Sequence, residues 1–457
     1  MRRGLHAAAV GLALGVVACA AVGCPSAGTF LCVDDTSCDR IATGGVCLAD
    51  GDCAYPDGVC PSGLRRSPGA NTGASECVPA ELPGTSTTTA TTTPSSDEDT
   101  VAATSSGDTA TASSSGTIPT CGERKSLLID TVQLPDGADP YPLLLAIDDP
   151  DVVAAGDEIW FADDRGQIVP HEIDAGPDDP ATRMVWLGLS GYTVPDPVTV
   201  WVHYGDPASA PVVLGRDVWA SHYLGVWHLG DPLSADEAEP VIDSTVNVTH
   251  GAALGGMGPE ANVPGVVGGA LLLDGDDDFI EVPTPWAGEL TSFTVSVWAR
   301  VDDNSVTPGS LFDRLNGDNL YPRCRKLPGE PTASLFCQVG TEETTVLSVS
   351  ASGSLTPLGS PFLAALRWDG AAGEMTLFVD GQPIDTTDIT GMTLRSGDRE
   401  MRLGQVENFG GLVGWLDEFR LADVALSDAW LAADYFTQLS PTAAILDVGE
   451  AEPATCP

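Results

Sequence analysis

Lysine is almost missing from this chain: Lys125 and Lys326 are the only two among 457 residues. Lys and Arg together number 20 against 65 Asp and Glu, a formal charge of −45. Nucleic acid and anionic lipid are gripped by clustered basic side chains, so this balance excludes both as partners. Beyond the N-terminus no apolar run approaches the roughly 20 residues of a membrane span. Catalytic signatures are missing too. The chain has six histidines, and it lacks Gly-x-Ser-x-Gly, His-Glu-x-x-His and any phosphate-cradling loop. What it has in quantity is Gly (51) and Pro (35), with 43% hydrophobic residues. That mixture points to turn-rich β structure with real cores rather than helical bundles.

The N-terminus reads as an export signal: Arg2 and Arg3, an apolar stretch from Ala7 to Ala18, then small residues. Two cysteines close it, in Val16-Val17-Ala18-Cys19 and Ala21-Val22-Gly23-Cys24. Both resemble the bacterial lipobox, whose cysteine is acylated and becomes the mature N-terminus. The branched Val16 favours Cys19, whereas parity favours Cys24. Cleavage before Cys24 leaves an even set: Cys32, Cys38, Cys47, Cys53, Cys60, Cys77, Cys121, Cys324, Cys337 and Cys456. Cys24 is the expected lipidation site, with Cys19 as the alternative. Neither is followed by Asp, which by resemblance to lipoprotein sorting implies the outer membrane, with the protein at the cell surface or in the periplasm.

The six cysteines from Cys32 to Cys77 sit among few large apolar residues, so disulfides rather than a core are expected to hold this segment. Zinc is the rival, and it fails on spacing: there is no Cys-x-x-Cys and no His. Six cysteines allow fifteen connectivities, about which the sequence is silent. The segment resembles the short Cys-rich modules of myxobacterial exported proteins. From Thr85 to Thr120 the chain is Ser/Thr-rich, with no aromatic residue and no Lys or Arg. It cannot bury enough apolar area to offset its ordering entropy and reads as a disordered stalk.

From Cys121 the texture changes to strands and turns. Val198-Thr-Val-Trp-Val-His-Tyr204 alternates with period two and stops at Gly205-Asp206-Pro207. Gly156-Asp-Glu-Ile-Trp-Phe161 and Gly166-Gln-Ile-Val-Pro-His-Glu-Ile173 flank the turn Asp163-Asp-Arg-Gly166. Glu158-Ile159-Trp160-Phe161, Pro170-His171-Glu172-Ile173 and Tyr204-Gly205-Asp206-Pro207, in that order, resemble three motifs of the DUF2341 family.

A second all-β unit opens at Tyr223-Leu-Gly-Val-Trp-His-Leu229. Its pieces are the turn Asp243-Ser-Thr-Val-Asn247, the hairpin Gly269–Val282, the alternating strand Ser292–Val301, Leu377-Phe-Val-Asp-Gly381, and the closing Gly414-Trp-Leu-Asp-Glu-Phe-Arg420. Together they resemble the laminin-G-like, concanavalin A-like jelly roll. A helix capped by Ser427 follows. Glucanases of this fold use paired carboxylates in a Glu-x-Asp-x-x-Glu pattern. The chain has no such hexad, so no enzymatic activity is expected. Asp274, Asp276, Asp277 and Asp278 read as a solvated turn, and Phe279 occupies the place of an EF-hand glycine.

The expected organisation is all-β, with two β-sandwich domains behind the head and linker. Its parts are a signal peptide (1–23), a Cys-rich segment (24–80), a linker (81–120), a DUF2341-like domain (121–215), a laminin-G-like jelly roll (216–440) and a tail (441–457). Cys324–Cys337 and Cys121–Cys456 are the expected disulfides outside the head. The resemblance implies a lectin-like module whose partner is a polysaccharide or an extracellular protein; the alternatives are a structural or adhesion envelope protein without glycan binding and a glycoside hydrolase. Trp298 is the candidate sugar platform, because it lies opposite Phe293, Val295 and Val297; the alternative is that it packs into a core. Alternation places Asp417 on the face of Trp415, Phe419 and Leu421; the resemblance to related jelly rolls implies a Ca2+ site with Asp243 and Asn247, and the alternative is that Asp417 accepts hydrogen bonds from a neighbouring turn. A monomer that meets the membrane only through its acyl anchor completes the expectation.

Overall fold

A computed structural model describes residues 46–48, 53–56, 64–66, 120–137, 140–174, 181–205, 215–233, 239–283, 290–303, 309–314, 322–328, 334–343, 345–395, 400–405 and 411–455. Residues 1–107 form one compact unit and 108–457 another. The chain is all-β. In the first unit the described strands Val46–Cys47, Cys53–Pro56 and Leu64–Arg66 make one antiparallel sheet, with Cys47 opposite Cys53. Cys19, Cys24, the stalk before Thr120 and the head cysteines other than Cys47 and Cys53 lie outside the described residues.

The second unit contains both sandwiches. In the first, Val198–Tyr204 lies between Thr120–Ile129 and Ile159–Asp163, with Ile168–Val169 at one edge. Against this sheet stands a smaller one, Tyr141–Ile147, Arg183–Leu189 and His171–Ile173. Val200, Val202 and Tyr204 point into the core, as their period-two spacing requires. Lys125 explains one of the two lysines: its Nζ meets both oxygens of Asp149 at 2.8 and 2.7 Å and Asp151 at 2.7 Å, tying the sheet to the helix Pro150–Ala155.

Within the segment expected as a tail, residues 441–455 are described. Ile445–Val448 and Glu452–Thr455 both pair with Thr120–Ile129, so the end of the chain completes the first sandwich's sheet. Thr455 stands opposite Thr120. The expected partner of Cys121, Cys456, lies outside the described residues.

The second sandwich packs two antiparallel sheets face to face. One runs Asn262–Pro264, Gly269–Asp274, Val413–Ala422, Ser292–Asp303, Phe362–Asp369, Glu374–Val379, Gln382–Asp388, with Tyr223–Trp227 also paired to Val413–Ala422. The other runs Glu239–Val241, Gly251–Leu254, Phe279–Val282, Met401–Gly404, Gly309–Arg314, Arg323–Lys326, Leu335–Gly340, Val346–Ala351. Phe293, Val295, Val297 and Val301 face the core between them, as the alternation predicts. Cys324 and Cys337 stand opposite each other on adjacent strands and form the expected disulfide inside that core.

The outer face of the first of these sheets is covered as well. Ala365, Phe378 and Ala422 join one continuous apolar cluster with the first sandwich and with the helix Asp428–Leu439. Ser427 caps that helix, its Oγ accepting from the Trp430 N–H at 3.1 Å. Gly381, at φ +72°, lets the helix lie close, since a Cβ there would come within 2.8 Å of the Ala432 Cα. A sheet buried on both faces is why its central strands read as near-continuous apolar runs.

Candidate functional site

Trp298 is not a platform. It is 1% exposed, its ring stacks on Tyr435 with centroids 5.6 Å apart, and its Nε1 donates to Gln438 Oε1 at 2.6 Å. Alternation placed it correctly on the outer face, but the helix Asp428–Leu439 lies over that face.

Each residue expected to ligate calcium has protein partners of its own. Asp243 is buried and accepts from Val226 N, Thr245 N and Oγ1, and Thr249 N and Oγ1, five donors of its own and the adjoining segment. Asn247 donates through Nδ2 to the Leu224 carbonyl at 3.0 Å. Asp417 Oδ2 accepts from Val266 N at 2.7 Å and Val267 N at 3.0 Å. Gly265 makes that grip feasible, because a Cβ there would sit 2.5 Å from Asp417 Oδ2. Burial and the neighbouring Glu418 raise the Asp417 carboxyl well above the usual range.

The face assigned to Asp417 also needs correction. Glu418 has φ +52°, and the register against Ser292–Asp303 slips by one between Ser296 and Trp298. This bulge inverts the alternation. Trp415 therefore packs with Trp298 on the outer face, whereas Phe419 and Leu421 point into the core.

Two polar constellations remain. The first lies on the sheet Glu239–Ala351, away from its core. Register carries one row across six strands: Glu281, Arg402, Asp313, Arg323, Gln338, Ser348. Arg402 Nε meets Glu281 Oε2 at 3.1 Å and its guanidinium lies 4.4 Å from the Phe279 ring. Arg325 Nε meets Asp313 Oδ2 at 2.9 Å, and Arg323 Nε meets Gln338 Oε1 at 2.8 Å. The neighbouring row holds Ser310, Arg325, Phe336 and Ser350. Arg402 and Glu281 are half-buried, at 23% and 32% side-chain exposure, so both remain reachable from solvent.

The second constellation fills the seam between the sandwiches. His228 Nδ1 is 2.7 Å from Glu418 Oε1, and Arg420 Nη2 is 2.7 Å from Glu418 Oε2. Glu172, from the first sandwich, approaches His228 Nε2 to 3.6 Å while accepting from Trp219 Nε1 at 2.5 Å and Ser244 Oγ at 2.6 Å. Tyr141 Oη donates to Asp434 Oδ1 at 3.1 Å, and Arg420 Nη1 reaches the same oxygen at 3.9 Å. Burial opposes the charge on His228, but Glu418 and Glu172 outweigh it and raise its pKa well above the ordinary value. Burial lifts the Asp434 carboxyl to about 6 against the pull of Arg420.

Sequence reading missed this seam. Glu172 sits in the Pro170–Ile173 motif, His228 in Tyr223–Leu229, and Glu418 and Arg420 in Gly414–Arg420. Each motif was visible, but their meeting was not. The available signal was Glu418-x-Arg420, two charges inside an apolar strand.

Residues 274–432 match the family described as the concanavalin A-like lectin/glucanases superfamily, so this part of the chain carries a concanavalin A-like domain. No curated protein matches the sequence. Similar solved structures include the receptor binding domain of botulinum neurotoxin D, 12% identical with a TM-score of 0.38, covering 48% of this chain and 53% of that one. Another is the botulinum neurotoxin serotype D ligand binding domain in complex with N-acetylneuraminic acid, 14% identical with a TM-score of 0.36, covering 48% and 51%. A third is the binding domain of Paraclostridial Mosquitocidal Protein 1, 14% identical with a TM-score of 0.36, covering 47% and 52%. The chain thus spans about half the length of each of these structures.

Proposed function

We propose that this is an exported, lipid-anchored surface protein whose second sandwich binds a polysaccharide outside the cell without catalysing its cleavage. The observation that carries the binding is the row Glu281–Arg402–Asp313–Arg323–Gln338–Ser348. It sets carboxylate, guanidinium, amide and hydroxyl groups side by side, with Phe279 and Phe336 among them. Sugar hydroxyls take such donors and acceptors, and aromatic faces take sugar C–H groups. A guanidinium carries five donors. Arg402 gives its Nε–H to Glu281, which among the described residues leaves the four Nη hydrogens for a ligand.

Hydrolysis by a retaining mechanism needs two carboxyl groups about 5 Å apart across one bond. Here Glu281 and Asp313 are separated in the row by Arg402, and each is paired with an arginine. That arrangement supports binding over cleavage by a retaining mechanism. Export and anchoring rest on the signal-like segment and its lipobox cysteines. Mass spectrometry of the mature N-terminal peptide tests them: an acylated Cys24 supports the anchor, and an unmodified N-terminus overturns it.

A glycan array with the full chain tests the binding. Arg402→Ala and Gln338→Ala are each expected to weaken capture of any array hit at least about tenfold, the order of one charge-assisted hydrogen bond, with melting unchanged. Full binding by both variants, or no binding to any glycan, overturns the reading.

A further inference from the structure

The chain contains six Asp–Pro bonds, at Asp139, Asp149, Asp179, Asp196, Asp206 and Asp231. Asp–Pro is a peptide bond that its own side chain can break. The carboxyl reaches the adjacent carbonyl carbon through a five-membered ring, and the proline nitrogen, a tertiary amide, leaves as a basic secondary amine. Asp139, Asp179 and Asp206 lie outside the described residues.

The other three sit in different surroundings. Asp149 has its carboxylate committed to Lys125 and to the N–H groups of Asp151 and Val152. Asp196 is exposed, where water competes for every contact. Among these three, Asp231 is held at both reacting groups. Its carbonyl oxygen, which gains charge when the carbon is attacked, accepts from Asn262 Nδ2 at 2.7 Å. Its Oδ2 accepts from Ile242 N at 2.8 Å. Asn262 Oδ1 accepts from Leu233 N at 2.7 Å, so one amide grips the chain on both sides of the Asp231–Pro232 bond. Leu229 and Leu233 are both buried in the core, and Leu229 takes left-handed backbone at φ +62°. That conformation is strained for leucine, and strain held this firmly collects at reacting sites.

We propose that the folded chain cleaves its own Asp231–Pro232 bond, with the Asp231 carboxyl as nucleophile and Asn262 as donor to the oxyanion.

A carboxyl oxygen of Asp231 bonds to the Asp231 carbonyl carbon, and Asn262 Nδ2–H meets the charge developing on the carbonyl oxygen. The carbon–nitrogen bond breaks, the carboxyl proton passes to the Pro232 nitrogen, and a cyclic anhydride remains on Asp231. One water opens the anhydride to two carboxyl groups, so the sum is hydrolysis. Burial raises the Asp231 carboxyl above its ordinary range and Glu172 adds to this, against Ile242 N–H, His228 and His250. The required proton is therefore retained in mild acid. The two pieces stay assembled, because Tyr223–Trp227 of one pairs with Val413–Ala422 of the other, and Ile445–Val448 returns to Thr120–Ile129.

The test incubates the full oxidised chain in mild acid for several days, natively and in urea, with cleavage read by mass spectrometry of unheated samples. Expected in the native chain is a new N-terminus at Pro232. It should form at least about tenfold faster than cleavage at any other Asp–Pro bond, and faster than the same cut in urea by a similar factor. The rate should not depend on protein concentration. Asn262→Ala should slow the cut at least about tenfold while circular dichroism stays that of the parent. Pro232→Ala, which keeps the carboxyl and its clamp, should slow it as well. An intact native chain overturns the proposal, as does native cleavage no faster than in urea. So does the same cut in a folded Asp231→Ala variant, which would assign it to a contaminating protease.

Discussion

The Arg420 guanidinium lies 4.5 Å from the ring centroid of Trp186, stacking a cation of the second sandwich on an aromatic of the first. Trp219 receives the same guanidinium at 5.0 Å. Arg420 is 2% exposed and bonds Glu418 through both Nε and Nη2. A desolvated, stacked arginine that gives two donors to one carboxylate oxygen is not replaceable by lysine. Arg420→Ala leaves Glu418, among the described residues, with His228 as its one cation and removes the cation beside Asp434, and should cost about 3–5 kcal/mol in urea unfolding. Arg420→Lys should recover only part of that loss. Unchanged stability in Arg420→Ala would show that the seam holds no net energy.

The same seam fixes what can be excised. Residues 216–440 alone would expose Trp430, Arg420 and Glu418, which the first sandwich and its returning C-terminal strands now bury. That fragment should melt on the order of 10 °C below residues 120–457, or precipitate. Equal melting by calorimetry would mean that the sandwiches are independent.

Trp298→Ala should cost about 3–5 kcal/mol, because it removes a buried indole, its stack on Tyr435 and its bond to Gln438. Glycan capture by the folded fraction should be unaffected. A selective loss of capture with normal melting would restore Trp298 to the binding face.

His203 gives a pH dependence. Burial, with help from Arg124, pulls its pKa down to about 4, and its ring stacks on Trp160 at 3.7 Å. The folded state therefore keeps it neutral where the unfolded chain, titrating near 6.5, takes up a proton. Between these values the unfolded state binds more protons, so stability rises with pH across this window and falls on acidification. The contribution is on the order of 3 kcal/mol. His203→Phe should flatten the denaturation midpoint between pH 6.5 and 4; an unchanged slope would remove His203 as the cause.

Local pattern determined much of this protein. Period-two spacing assigned Val200, Val202 and Tyr204, and likewise Phe293, Val295, Val297 and Val301, to inward faces. Ser427 marked its helix start, and Cys324 and Cys337 their disulfide. These are properties of one strand or one turn, set by backbone geometry within about ten residues. Tertiary structure decided the rest. Alternation can say that Trp298 points away from Phe293, but not that a helix more than a hundred residues later lies on it. Nor can it foresee that Glu418 takes φ +52° and inverts the faces of Asp417, Phe419 and Leu421. The return of Ile445–Thr455 to the sheet of Thr120–Ile129, and the meeting of Glu172, His228 and Glu418, depend on contacts between distant segments. No local period encodes such contacts; they exist because burying both faces of one sheet requires a second body to lie against it.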